Sequence, residues 1–163
     1  MLVSSNKQDW ETPKWLFDKL NEEFRFTLDP CANDDNYKCN FYFTEEGDGL
    51  SRSWEGHIVF INPPYRYAKE WVTKAYNEFK ENKVTCVLLI PARVDTKIWH
   101  EIIAPYATQI RFLKGRVRFV GAESGSTFPS AIVVFSYRRY DERIVFVDMQ
   151  NGDINNGDIN ECV

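Results

Sequence analysis

This 163-residue chain is short of the features that mark several common ligand chemistries. It has two histidines, His57 and His100, and four cysteines, Cys31, Cys39, Cys86 and Cys162, none at metal-site spacing, so no metal site is expected. It lacks Gly-x-Gly-x-x-Gly, which disfavours a pyrophosphate-binding site and with it a nucleotide-binding oxidoreductase. It lacks a signal peptide and any apolar run long enough to span a bilayer, so a cytoplasmic protein with reduced thiols and no membrane partner is expected. It also lacks a surplus of positive charge. The net charge of -4 argues against a uniformly basic nucleic-acid binder.

What is present suits one globular domain: 44% hydrophobic and 27% charged residues are ordinary proportions for a packed core under a solvated surface. The aromatic content of 15% is high and leaves two readings open, an aromatic-rich core or a stacking surface for bases. Charge is unevenly spread. Arg111, Lys114, Arg116 and Arg118 lie close together and Arg138-Arg139 follow, so one basic face on an acidic protein is possible.

Hydrophobic spacing sketches the elements. Thr12 can cap a helix over residues 13–23, with Pro13 in its first turn and Trp15, Leu16 and Leu20 at helical spacing. Residues 24–28 alternate as a short strand ending at Asp29-Pro30. Residues 41–43 and 57–61 are further strands, and residues 67–81 have helical spacing. Residues 84–90 are nearly all apolar, as in a strand covered on both faces. A helix over 96–103 and a strand over 109–113 follow, and 132–135 and 144–147 are expected to close the sheet as an antiparallel pair. The alternation predicts an α/β, Rossmann-like fold with a mostly parallel sheet and an antiparallel C-terminal edge. We divide the chain into one domain over residues 1–148, with a loose start at 1–8, and a polar tail over 149–163. The tail repeats Asn-Gly-Asp-Ile-Asn at 151–155 and 156–160 and is expected to be disordered.

The chemistry centres on Asn62-Pro63-Pro64-Tyr65. It follows an apolar strand directly, where open α/β sheets place their ligands. An exocyclic amine on an aromatic ring is a poor nucleophile, because its lone pair is delocalised into the ring. A site that accepts both amine hydrogens lets that lone pair turn towards an electrophile. Asn62 offers a side-chain carbonyl and Pro63 a backbone carbonyl, and two prolines fix both before the substrate arrives. Tyr65 offers a face on which an extruded base can stack. Asn62 is neutral, so its role is orientation and electrostatic stabilisation, not proton abstraction. Any planar NH2 group fits this scheme, including an RNA base or a protein glutamine; an inactive nucleic-acid-binding module is the alternative of a different class. Asp29, at a strand end, can receive the ammonium or a hydroxyl of a phosphate-free cofactor.

The series Trp10-Glu11-Thr12-Pro13, Leu28-Asp29-Pro30-Cys31-Ala32, Asp48-Gly49-Leu50 with Trp54, then Asn62-Pro63-Pro64-Tyr65 resembles the phage DNA N6-adenine methyltransferases of the Dam type over most of residues 9–135. The resemblance implies methyl transfer from S-adenosylmethionine to adenine in duplex DNA by base flipping. It implies that Trp10, Thr12, Pro13, Asp29, Pro30, Cys31 and Ala32 hold the methionine part of the cofactor, and that Asp48, Gly49 and Leu50 hold its adenine. Asn62 also borders the cofactor. Phe128, in Thr127-Phe128-Pro129, is the aromatic that would stack on the flipped base, with Tyr65. Arg93, Arg116 and Arg118 are candidate phosphate contacts. The glycine-rich first loop of wider adenine methyltransferases is absent, as is a clear acidic residue for the cofactor ribose, for which Asp34 and Asp35 are candidates.

Overall fold

The computed structural model describes residues 10–149. The predicted loose start at 1–8 and the duplicated Asn-Gly-Asp-Ile-Asn tail lie outside the described residues.

A nearly continuous apolar run, Thr85–Pro91, forms the central strand β4 because both faces of the sheet are covered there. Around it stand β1 (Leu28–Asp29), β2 (Phe41–Tyr42), β3 (Ile58–Ile61), β5 (Gln109–Leu113), β6 (Ser130–Phe135) and β7 (Ile144–Val147). Their order across the seven-stranded sheet is β2-β1-β3-β4-β6-β5-β7. The expected α/β class and mostly parallel sheet are present, with antiparallel pairing on the C-terminal side. That pairing is not the one predicted. β6 and β7 do not meet: β6 runs reversed between β4 and β5, and β7 lies parallel to β5 at the edge. β6 is buried along its whole length, as befits an interior strand, whereas β7 alternates exposed and half-buried residues.

Helix α1 (Lys14–Phe24) and α2 (Ala68–Asn82) cover opposite faces. α1 buries Leu16, Phe17, Leu20 and Phe24 with Phe60, Leu89 and Val134, while α2 buries Trp71, Val72 and Ala75 with Val59, Leu88 and Val133. Thr12 does not cap α1. Pro13 occupies the N-cap and its carbonyl receives Leu16 and Phe17, so Thr12 sits one residue too early. Residues 24–26 are not strand. Phe24 ends the helix, Arg25 turns left-handed at φ 59°, and Phe26 N–H donates to Asn21 Oδ1 at 2.9 Å. The alternation of Phe24 and Phe26 reflects aromatic packing of a helix cap, with ring centroids 5.6 Å apart. The predicted helix over 96–103 is π-helical at Trp99–Ile103 and then continues as α3 (Ala104–Tyr106). Pro105 cannot donate to the carbonyl four residues back, and the wider turn relieves its ring of that carbonyl.

Candidate active site

The chain runs outward from β1 to β2 and then crosses back to β3 on the other side of β1. The C-terminal ends of β1 and β3 therefore flank a topological switch point, where such sheets bind ligands. A cavity of about 320 Å³ opens there. Of the predicted residues, Trp10, Thr12, Asp29, Pro30, Cys31, Ala32, Asp48, Gly49, Leu50, Asn62 and Pro64 line it. Pro13 does not; it is buried at the start of α1. Glu11, Lys38, Arg66 and Tyr67 also line the cavity and were not foreseen. Lys38 lies in a turn-like stretch whose approach to Asp29 depends on the parallel β1–β2 pairing, which local sequence does not reveal.

Two loops are locked together at the cavity floor. A Cβ on Gly49 would stand 2.0 Å from the Pro30 carbonyl oxygen, so only glycine allows this approach. Trp54 Nε1 donates to the Gly49 carbonyl at 2.9 Å and fixes the same turn from behind. What requires glycine at position 49 is this close backbone contact.

The floor is acidic. Glu11, Asp29, Glu45 and Asp48 outnumber Lys38 and Arg66 among the lining residues. Asp29 is buried and accepts backbone N–H groups from Lys38 at 3.1 Å and Cys31 at 3.4 Å. Burial pushes its carboxyl up to about 6; the two backbone bonds and the charge of Lys38 limit the rise. Lys38 Nζ in turn meets Glu11 Oε1 at 3.0 Å.

Asn62 leaves β3 half-buried, with its side chain tied to the N-terminal segment. Nδ2 donates to the Trp10 carbonyl at 2.5 Å and to Thr12 Oγ1 at 2.9 Å. The Trp10 carbonyl can only accept, so the amide nitrogen must face it. The Asn62 backbone carbonyl receives Cys31 Sγ at 3.3 Å.

The tetrad forms a wall between two compartments. Asn62 and Pro64 face the acidic cavity, while Tyr65 turns to an aromatic cluster. Its ring meets Phe128 edge-to-face at 4.9 Å and Phe119 at 6.3 Å, and Trp10 lies 6.1 Å from Phe119. Burial raises the Tyr65 phenol, so it holds its proton at neutral pH. Centroids 4.9 Å apart leave no slot for a base between Tyr65 and Phe128, since a sandwiched ring needs roughly 7 Å.

β5 ends, and the reversed β6 begins, at the same sheet edge as β1 and β3. The connecting segment with Phe119 and Phe128 therefore overhangs the cavity edge, and Val120 N–H donates to the Glu11 carbonyl at 3.0 Å. Arg116 and Arg118 are exposed on this segment, and Arg93 is exposed just after β4. Val117 between them and Phe119 after them are buried, so the predicted alternation holds in an irregular loop. Arg111 departs from the expected basic face. It is buried, with both terminal nitrogens on the Glu23 carboxylate at 2.7 Å. Arg138 stays exposed, with its guanidinium over the Phe24 ring and donating to the Glu23 carbonyl.

The model of the DNA N-6-adenine-methyltransferase (Dam) family matches residues 1–157. The chain belongs to this family. It is similar to the DNA N-6-adenine-methyltransferase of Haemophilus phage HP1, with 30% identity over 139 residues that cover 80% of each chain. It is also similar to that of Escherichia phage T1, with 26% identity over 133 residues, 71% of this chain and 55% of the relative. Membership of the Dam family implies S-adenosylmethionine as the methyl donor. The cavity suits such a ligand: its acidic floor matches a cation, Leu50 and Trp71 add apolar walls, and among the described lining residues no run of glycines offers a phosphate cradle. Among the described residues no helix is long and apolar enough to cross a membrane.

Proposed function

We propose that this chain transfers a methyl group from S-adenosylmethionine to N6 of adenine in duplex DNA, in the cytoplasm, on a base turned out of the helix. The observation that carries this reading is the position of Asn62-Pro63-Pro64-Tyr65 as a wall between an acidic cavity and an aromatic cluster. Bound in that cavity, the cofactor supplies a methyl group on a positively charged sulfur. Asp29 receives its ammonium group; Pro30, Cys31 and Ala32 shape the floor below; Asp48, Gly49 and Leu50 hold its adenine end. Asn62 Oδ1 and the Pro63 carbonyl accept the two N6 hydrogens of the target and turn its lone pair towards the cavity. Tyr65 or Phe128 stacks on the base once one ring moves aside. Residues 1–148 act as one catalytic domain in this reading.

The experiment is transfer of isotopically labelled methyl groups to DNA, RNA and glutamine-containing peptide side by side. Label is expected in DNA adenine. Label only in RNA or peptide moves the same chemistry to another planar amine, and cofactor binding with no transfer to any acceptor points to an inactive binding module.

Arg93, Arg116 and Arg118 are the proposed phosphate contacts; Arg118 Nε already donates to the Ala122 carbonyl at 3.2 Å, so Arg93 and Arg116 carry the test. Replacing both with alanine is expected to weaken DNA binding at low salt and to reduce the slope of log affinity against log salt by about 2, read by fluorescence anisotropy. An unchanged slope would leave these two arginines as solvated charge.

Asp29 gives two pH trends of opposite sign. Its carboxyl must be ionised to hold an ammonium, so cofactor affinity should be level above about pH 6 and fall below it. Stability runs the other way. The folded value of about 6 lies above the ordinary carboxylate value of 3.8, so the folded state binds the proton more tightly. The Asp29 contribution to the stability of the ligand-free chain therefore grows as pH falls from 6 towards 4. Both slopes should flatten in Asp29→Asn, measured by calorimetry and thermal melting.

A further inference from the structure

We propose that Thr12 is a positioning residue for the reaction and acts through Asn62 rather than on the cofactor. This rests on the reading of Asn62 as the acceptor for the target amine. An asparagine amide can turn over at little intrinsic cost, exchanging its oxygen and its NH2 group. Only one orientation serves the proposed chemistry, because the oxygen must face the substrate. The N-terminal segment imposes that orientation. Nδ2 carries two hydrogens, and two acceptors take them: the Trp10 carbonyl at 2.5 Å and Thr12 Oγ1 at 2.9 Å. With both hydrogens engaged on one side, Oδ1 is directed to the other, and among the described residues no donor holds it.

Thr12 is well placed for this. It is 2% exposed, so its hydroxyl is shielded from competing water and its bond to Nδ2 is not readily exchanged. It does not serve α1, whose N-cap is Pro13 with no side-chain capping bond. The segment itself is anchored independently at both ends of Glu11: the side chain by Lys38, and the carbonyl by Val120 N–H. A helix cap made by Thr12 would have explained its burial; the hydroxyl meets the Asn62 amide instead.

The test compares Thr12→Val with Thr12→Ser in the full chain. Valine keeps the shape and removes the acceptor; serine keeps the acceptor. In Thr12→Val we expect kcat at saturating cofactor and DNA to fall about ten- to a hundredfold, with the dissociation constant for S-adenosylmethionine shifted less than about threefold. Thr12→Ser should return kcat to within about threefold of the parent. A wild-type kcat in Thr12→Val, a loss confined to cofactor affinity, or failure of serine to restore turnover each overturns the inference. Should Thr12→Val not fold, the parent protein decides. The Asn62 side-chain amide, assigned by its disappearance in Asn62→Ala, should exchange its two hydrogens with solvent at least about tenfold more slowly than a free asparagine amide. Free exchange overturns the inference. Asn62→Ala separates the two claims. If that variant retains activity, the reading of Asn62 itself is wrong. If it is inactive while Thr12→Val is fully active, only the role of Thr12 is wrong.

Discussion

Asn62→Ala is expected to lower methyl transfer to DNA by at least about a hundred- to a thousandfold, the loss typical when a preorganised partner of the transition state is removed. The cofactor should still bind. The cavity floor around Asp29, Pro30 and Gly49 is held by its own contacts, namely the backbone bonds to Asp29 and the Trp54 bond to Gly49. A drop in kcat with little change in cofactor affinity is the signature of an interaction made with the reacting group. Asn62→Asp is not a mild change in this setting. The Trp10 carbonyl, 2.5 Å from Nδ2, would face a carboxylate oxygen with no hydrogen between them. The aspartate must rotate away or take up a proton, so its activity should lie well below that of asparagine. Parent-like turnover in Asn62→Ala would remove the basis of the mechanism.

Gly49→Ala is expected to be the most damaging small substitution in the chain. The added methyl would meet the Pro30 oxygen at 2.0 Å and its carbonyl carbon at 2.9 Å, both backbone atoms that cannot swing aside like a side chain. One of the two loops must move. We expect a loss of about 3 kcal/mol or more, which for a chain of this size is a fall of roughly 10 °C in Tm. Any folded fraction should bind cofactor poorly, because Pro30 and Gly49 both line the cavity. Gly56→Ala is the control: it has φ 81° but nothing within 4 Å of an added Cβ, so it pays only backbone strain of about 1 kcal/mol. Equal melting temperatures for the two variants would show that close approach is not what fixes Gly49.

The features legible in the sequence are those set by local pattern. The apolar run of β4 and the helical spacing of α2 came from burial on two faces and on one. Asn62 was legible because a polar residue directly after an apolar strand emerges at the ligand edge, whereas Asp29 was placed at a strand end although its strand is only Leu28–Asp29. Pairings between distant segments were not legible. β6 is as apolar as any interior strand, but its place between β4 and β5 follows from register that no local pattern encodes. Lys38 and Glu11 meet across 27 positions, and Arg111 and Glu23 across 88, so neither ion pair could be read from spacing. Arg111 shows the same limit from the other side, since a cluster of four basic residues in sequence became one buried structural cation and three exposed ones. Thr12 was singled out by type, but its hydroxyl meets the amide of Asn62, 50 positions away, a contact that spacing does not reveal.

The central claim is that this chain methylates adenine at N6 in DNA. The direct measurement is mass spectrometry of nucleosides from unmethylated duplex DNA incubated with the purified chain and S-adenosylmethionine carrying a deuterated methyl group. The account predicts deuterated N6-methyladenine as the labelled base, lost in Asn62→Ala. Label on cytosine, or unlabelled DNA under conditions where the cofactor is bound, would contradict it.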